Sequence, residues 1–186
     1  MLYPTGPGEP RRLESGDIRE YSSARWFPDG KRILGCGTDA KHVPRCYVQD
    51  VFGGKPRPAT SEGTRKGIVS PDGALLLVQG SRDEYQLYPS AGGEPRPVSA
   101  LAPEDIVARW TADGRGFLAY RESEVPGRLE RVDLATGRRD IVRRLAPPDL
   151  AGVVSITGVT VAGDENAYAY SARQRRSDLF LVEGAR

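Results

Sequence analysis

Short apolar runs, each preceded by a tight-turn signal, alternate along this chain with polar stretches rich in glycine and proline. The runs are apolar at consecutive positions and too short for a helix. Consecutive apolar residues of this kind predict strands that are covered on both faces. The sequence therefore predicts an all-β fold of short strands, with the runs at Ile33–Leu34, Leu75–Val78, Phe117–Tyr120 and Ala167–Tyr170.

Each run is followed by two further strand signals. A second short strand is predicted at Cys46–Val48, Tyr85–Tyr88, Leu129–Val132 and Leu179–Val182. Glycine-containing turns follow the first three of these, and Lys55–Pro58 and Glu94–Val98 then predict outer strands. Paired prolines confine a strand to the edge of a sheet, because proline cannot donate to a ladder on both sides. Each complete repeat is therefore predicted to end in a proline-rich outer strand.

A turn signature recurs through the chain at nearly constant spacing. It reads Trp-Phe-Pro-Asp-Gly in the first repeat, and the Asp29 position recurs at Asp72, Asp113 and Gly163, every 41 to 50 residues. A period of this size is typical of the four-stranded blade of a β-propeller. Proline, aspartate and glycine form tight turns, so the aspartates are interpreted as structural and not as a catalytic pair.

The predicted blades span residues 21–60, 64–98, 105–142 and 153–184, the last without an outer strand. Residues 1–13 form a further partial blade, since Leu2–Arg11 matches Leu87–Arg96 in sequence. The fold class predicted is an all-β propeller of four-stranded blades. About four blades are encoded, which suggests a partial propeller or the C-terminal part of a larger one.

Charge and hydropathy exclude several classes of function. The 27 basic and 25 acidic residues are interspersed and give a net charge of +2, so no nucleic-acid-binding surface is indicated. No apolar run reaches the roughly 18 residues that span a membrane. The N-terminus has no signal-peptide pattern, which predicts a cytoplasmic protein if the chain is complete.

The pattern Trp26–Lys31, echoed by Trp110–Arg115, resembles the repeats of TolB-like β-propellers over nearly the whole chain. Residues 166–171 and 177–184 are similar to the end of the propeller attached to certain bacterial membrane serine/threonine kinases. The resemblance implies a sensor or interaction module, which is extracytoplasmic if the chain is a fragment of such a kinase. The chain has none of the kinase motifs, so kinase activity is not implied.

The sequence therefore predicts a non-catalytic binding module of a larger bacterial signalling protein. The alternative is the substrate-gating propeller of a prolyl-oligopeptidase-like or tricorn-like peptidase. No Gly-x-Ser-x-Gly elbow or phosphate-binding loop is present, and no cofactor is expected. A propeller lyase or lactonase would need converging metal ligands, and His42 is the only histidine.

Partners are expected at the ends of the row of blades. Leaving roughly 500 Å² of apolar blade surface exposed to solvent would lose on the order of 12 kcal/mol of hydrophobic stabilisation. That rivals the whole stability of a typical domain, about 5–15 kcal/mol. The chain is thus expected to close on itself by adding Glu9–Leu13 to Leu179–Val182, to pair with a second copy, or to belong to a longer ring.

Cys36 and Cys46 are the only cysteines and fall on the two middle strands of one repeat. They face each other if the hairpin turn centres near residue 41. Two buried thiols and a disulfide both remain open, and two cysteines with one histidine make no zinc site. His42 itself is predicted to lie in the surface loop between these strands.

Arg25 and Arg109 are the candidate ligand-binding residues. Each directly precedes a tryptophan on an inner strand, and side chains alternate along a strand. Trp26 and Trp110 are predicted to be core residues between blades. If they point between blades, the arginines point into the central channel, where a small anion could bind. An ion pair with an acidic neighbour is the alternative.

Overall fold

The computed structural model describes residues 1–177, and this part of the chain contains fourteen β-strands and no helix. The strands form three four-stranded antiparallel sheets and one two-stranded sheet, here named blades 1 to 4. Blade 1 consists of β1 (Glu20–Trp26), β2 (Arg32–Thr38), β3 (Pro44–Asp50) and β4 (Arg57–Pro58). Blade 2 consists of β5 (Arg65–Val69), β6 (Leu75–Gln79), β7 (Tyr85–Pro89) and β8 (Arg96–Pro97).

The second half of the chain repeats the same order of strands. Blade 3 consists of β9 (Ile106–Trp110), β10 (Gly116–Tyr120), β11 (Gly127–Asp133) and β12 (Arg139–Leu145). Blade 4 consists of β13 (Val153–Val161) and β14 (Tyr168–Gln174). The strand predicted at Leu179–Val182 lies outside the described residues, so self-closure through it is not tested. The division of the chain into blade domains stays a prediction.

Apolar side chains from neighbouring blades form the core in three separate clusters. One lies between blades 1 and 2, one between blades 2 and 3, and one between blades 3 and 4. All five residues of β10 are buried, as expected for a strand covered on both faces. Most of β14 is exposed, which contradicts the same prediction for Ala167–Tyr170, because blade 4 is the last sheet within residues 1–177.

The outer strands differ between repeats. Prolines limit β4 and β8 to two residues each, as their sequences predict. The outer strand of blade 3, β12, has no proline and pairs with β11 from Gly127 to Val132. The prediction of a proline-rich outer strand in every repeat is therefore wrong for blade 3.

The turn between the first two strands is the same in all four blades. An aspartate accepts a hydrogen bond from the backbone N–H two residues later at 2.8–3.1 Å, and these aspartates are Asp29, Asp72, Asp113 and Asp164. Hydrogen bonds to each carboxylate hold its pKa below the usual value. The next residue has φ of 60–73°, and it is Gly30, Gly73, Gly114 or Glu165.

This geometry corrects the sequence alignment of the fourth repeat. The sequence spacing places Gly163 at the Asp29 position, but the turn hydrogen bonds place Asp164 there, one residue later. Val161 consequently occupies the position of the tryptophans, paired with Tyr168 as Trp110 is paired with Phe117. Hydrogen bonding therefore preserves the turn even though Glu165 stands where the other repeats have glycine.

The N-terminal segment forms a small hairpin in front of blade 1. Leu2 and Arg11 exchange two backbone hydrogen bonds of 2.8 and 2.9 Å. In blade 2, Leu87 of β7 pairs with Arg96 of β8, the residues that Leu2 and Arg11 match in sequence. The hairpin thus has the pairing of the third and fourth strands of a blade.

Candidate interaction surfaces

Trp110 packs at the joint between blades 2 and 3. Its side chain is only 3% exposed, and its ring centroid lies 4.5 Å from that of Phe117. It belongs to the cluster that contains Leu77 and Leu87 of blade 2. The prediction that Trp110 is a core residue between blades is confirmed.

Trp26 has the same position on the inner strand of blade 1 but is 55% exposed. The prediction that it is a core residue between blades is therefore wrong. Trp110 packs toward the preceding blade, so Trp26 faces the side of blade 1 that lies away from blade 2. Only the N-terminal hairpin precedes blade 1 in this structure, and it leaves Trp26 in solvent.

The two candidate arginines differ in environment. The Arg109 guanidinium donates to the Trp110 carbonyl at 3.0 Å and to the Ala162 carbonyl in the first turn of blade 4. Arg25 is exposed and donates to the Ala24 carbonyl at 3.0 Å. Both thus donate to backbone carbonyls, and the charge of Arg109 also helps to lower the pKa of Asp164. The role of the two arginines as channel ligands and the ion-pair alternative both stay predictions.

A buried ion-pair network lies at the joint between blades 2 and 3. The side chain of Asp105 is 1% exposed and accepts hydrogen bonds from Arg121 at 2.9 Å, from Arg139 and from the backbone N–H of Ala102 at 2.8 Å. The Tyr85 hydroxyl of blade 2 donates to the Asp105 carbonyl at 2.6 Å. The network therefore ties the start of β9 both to its own outer strand and to the preceding blade.

Sequence reasoning did not identify this network. Asp105 directly precedes an inner strand, but its partner Arg139 lies 34 residues further along the chain. Burial alone raises the pKa of Asp105, but the hydrogen bonds from Arg139, Ala102 and Arg121 outweigh burial and lower it below its usual value. The carboxylate is thus charged at neutral pH and is held by its partners.

A groove of about 380 Å³ opens between blades 2 and 3 beside this network. The carboxylates that line the groove include those of Asp83, Glu104 and Glu122, and the only lysine in its lining is Lys66. Lys66 lies on a bulge of β5 and has φ of 41°. Burial raises the pKa of Tyr85, which also lines the groove, to about 12, so this phenol is neutral. Because carboxylates outnumber cationic groups in its lining, the groove is a poor site for the small anion whose binding was predicted from Arg25 and Arg109.

The two cysteines lie directly opposite each other on β2 and β3, as the hairpin argument predicts. Their Cα atoms are 4.0 Å apart, and the structure joins Cys36 and Cys46 as a disulfide within the core between blades 1 and 2. The oxidation state of the pair in solution stays a prediction. His42 is exposed in the loop between these strands, as its sequence position predicts.

Residues 1–177 contain no group of three histidine, cysteine, aspartate or glutamate side chains placed to hold a metal ion. The same residues contain no helix long and apolar enough to cross a membrane.

The sequence matches no family model and no curated protein. Solved structures do resemble its fold. TolB from Acinetobacter baumannii superposes with a TM-score of 0.55 and 18% identity, over 81% of this chain and 40% of TolB. An oligogalacturonate lyase from Vibrio parahaemolyticus gives 0.56 and 15% over 84% of this chain and 60% of the lyase. An oligogalacturonate lyase in complex with manganese gives 0.54 and 18% over 86% and 61%.

These similarities, together with the stacked antiparallel sheets, show that the fold is a β-propeller. The chain spans about 40% of the length of that TolB and about 60% of the length of the two lyases. Identities below 20% carry the fold alone, since one fold supports many functions.

Proposed function

We propose that this chain is a non-catalytic β-propeller module that binds a protein or a small ligand within a larger bacterial signalling protein. The observation that most supports this role is that the charged side chains named next form their hydrogen bonds and ion pairs within the fold. The turn aspartates bond to their own backbone, Asp105 is bonded to two arginines, and Arg109 holds the first turn of blade 4. These groups stabilise the fold, which leaves the surfaces of the blades available for binding.

A receptor-like serine/threonine kinase is the parent protein that we favour. Its support is the sequence resemblance of residues 166–171 and 177–184, of which the segment beyond residue 177 lies outside the described structure. The substrate-gating propeller of a peptidase is the alternative, and it has only the fold class in its favour.

The coding context of the chain tests this proposal. A kinase domain and a membrane span encoded upstream in the same reading frame are the expected result. A downstream α/β-hydrolase domain with a Gly-x-Ser-x-Gly elbow would instead establish the peptidase role.

An activity assay tests the non-catalytic part of the proposal separately. The chain is incubated with oligogalacturonate and Mn²⁺, and the unsaturated elimination product is measured. We expect no product above the protein-free control. Turnover by the wild-type chain would make it a lyase and overturn the proposal.

The ligand role of the two arginines has its own test. Inorganic phosphate serves as the probe anion, and its affinity is compared by calorimetry between the wild type and Arg25→Ala/Arg109→Ala. Loss of phosphate binding in the double variant is expected if the arginines line an anion site. Equal binding by both proteins excludes that role.

A further inference from the structure

We propose that the outer edge of β12 (Arg139–Leu145) binds an extended, acidic segment of a partner protein, which adds to blade 3 as a fifth strand. This inference rests on the binding role proposed above and names the surface that binds and the chemistry of its partner. An added strand pairs through backbone hydrogen bonds, and side chains that match those of the edge select the partner.

The outer strands of the three four-stranded blades differ in how well they resist such pairing. β4 and β8 have two residues each, and one of the two is a proline, which cannot donate to an added strand. β12 has seven residues and no proline. Propellers ordinarily leave only short, protected edges, so the outer strand of blade 3 departs from the rule that the other two blades follow.

The outer side of β12 is open within residues 1–177. β12 is the outermost strand of blade 3, with β11 on one side and no strand on the other. Alternate N–H and C=O groups of such a strand point away from its one partner, and Ile141 on the same strand is 49% exposed. Outermost strands lie on the circumference of a propeller, so blades added at either end of the row would leave this edge open.

The charges on β12 identify the chemistry of the partner. Arg139, at the start of the strand, is paired with two carboxylates. Arg143 and Arg144 are exposed and form no ion pair within the described part of the chain, where the Arg143 guanidinium donates to the neighbouring Val142 carbonyl at 2.9 Å. Two cations on an edge repel another basic strand and attract an acidic one.

The pairing with β11 defines where the acidic residues of the partner would lie. Arg143 lies opposite Leu129 and Arg144 opposite Arg128, and neighbouring side chains alternate between the two faces of a sheet. An added strand would therefore meet the two arginines with two adjacent acidic residues, one on each face. Beyond the bulge in β12, Ile141 offers an exposed apolar contact to the next part of that strand.

Fluorescence anisotropy on the full 186-residue chain tests the proposal. The probe is a short labelled peptide of threonine and valine with two adjacent glutamates at its centre, and the matched probe has two lysines in their place. We expect the glutamate peptide to bind about tenfold more tightly than the lysine peptide, because two attractive cross-strand charge pairs replace two repulsive ones.

Reversing the charge of the edge should reverse this preference. Arg143→Glu/Arg144→Glu is expected to bind the lysine peptide more tightly than the glutamate peptide. Arg175→Glu/Arg176→Glu is the matched control, because it changes the net charge equally at two exposed arginines just after β14 and should keep the wild-type preference. A reversed preference, unlike a loss of binding, does not arise from unfolding.

A third peptide separates strand addition from contact between charges alone. It keeps the two glutamates but carries methyl groups on its backbone nitrogens, so it cannot donate hydrogen bonds to β12. Its affinity for the wild-type chain should fall by about tenfold or more, because the backbone bonds of the added strand are lost.

Four results would overturn the proposal. Failure of the wild-type chain to bind the glutamate peptide would mean that the edge is blocked. Equal binding of this peptide by Arg143→Glu/Arg144→Glu would place the site elsewhere, and the binding role of the module would then survive without this edge. Full affinity for the methylated peptide would reduce the interaction to charge. A wild-type dimer in light scattering that Arg143→Glu/Arg144→Glu abolishes would make a second copy the occupant.

The proposed function and this inference can fail independently. The coding context and the lyase assay test the function without involving β12, whereas the peptide titrations test only the edge.

Discussion

Trp26 and Trp110 occupy the same position on equivalent inner strands, each followed by the same aspartate turn, yet one is 55% exposed and the other 3%. The difference lies in what precedes each strand. Blade 2 packs side chains of β5, β6 and β7, and Val98 just after β8, into the cluster that buries Trp110, whereas a hairpin covers only the outer part of blade 1. Burial in this fold is therefore a property of the joint between repeats and not of the repeat.

The two joints also differ in their polar contacts. At the covered joint, Tyr85 of blade 2 bonds to the backbone of Asp105, whose carboxylate holds Arg121 and Arg139 of blade 3. On the exposed side of blade 1, the hairpin contributes Arg11 and the segment after it contributes the Glu14 carbonyl, both at the outer end of the blade. The contact between blades 2 and 3 thus combines an apolar centre with a network of hydrogen bonds and ion pairs. The contact between the N-terminal segment and blade 1 has only the outer polar contacts.

The largest effect is expected from removing the two tryptophans in turn. Trp110→Ala should lower the free energy of unfolding by about 3–5 kcal/mol, because a large aromatic ring leaves a cavity in the core. Trp26→Ala should change it by less than about 1 kcal/mol, because this ring is 55% exposed. Denaturant titration measures both values, and equal losses would contradict the comparison.

Asp105→Asn should cost about 3 kcal/mol, because two arginines lose their buried anionic partner. The pKa of Asp105 is held below its usual 3.8 in the folded state, so its stabilisation is present above about pH 4 and disappears as the pH falls through the folded pKa. The variant should lose this part of the acid dependence when unfolding is measured from pH 7 to pH 2.

The control for this change is Asp140→Asn, which breaks the exposed pair with Arg138. A pair in solvent contributes about 0–1 kcal/mol, so this variant should unfold like the wild type. If both variants lost the same stability, the buried position of Asp105 would be irrelevant.

The next prediction concerns the contribution of the Cys36–Cys46 disulfide to the free energy of unfolding. If Cys36 and Cys46 are oxidised in solution, alkylation of the unfolded, unreduced chain should add no mass. Reduction should then lower the free energy of unfolding by about 2–3 kcal/mol, because the loop in the unfolded chain is released. Cys36→Ser/Cys46→Ser is the control that reductant should not affect, and labelling of two thiols before reduction would show free cysteines.

The effect of substituting Gly67 on stability shows how closely blades 1 and 2 pack against each other. A Cβ atom at Gly67 would lie 2.6 Å from the Leu34 Cδ2 atom and 3.3 Å from the Cys36 Sγ atom of blade 1. Gly67→Ala should therefore cost about 1–2 kcal/mol by overpacking a buried joint. Gly163→Ala is the control, since nothing lies within 4 Å of it and Ala112 fills the equivalent turn position in blade 3.

The smallest effect is expected at the turn of blade 4. Glu165 has φ of 60°, where the other three repeats have glycine, and its carboxylate pairs with Arg131 of blade 3. Glu165→Gly should gain up to about 0.5 kcal/mol, because relief of backbone strain slightly exceeds the loss of a half-exposed ion pair. Thermal unfolding measures the difference, and a loss of stability would mean that the pair with Arg131 dominates.

Much of the strand order followed from the sequence because it depends on neighbours along the chain. Aspartate and glycine turns fix the hairpin between the first two strands, and prolines shorten β4 and β8. Even the fourth turn, misaligned by one residue, lies where the pattern predicts a turn. The paired position of Cys36 and Cys46 likewise required only the hairpin between them.

The sequence by itself therefore determined the repeat, its turns and most of its strands, since these depend on contacts within a few residues. Only the tertiary structure decided that Trp26 is exposed while Trp110 is buried, that Asp105 meets Arg139, and that Arg109 bonds to blade 4. Those outcomes join residues that are tens of positions apart or depend on whether a neighbouring blade is present. A local pattern repeats along the chain, but the environment of each repeat is set by what packs against it.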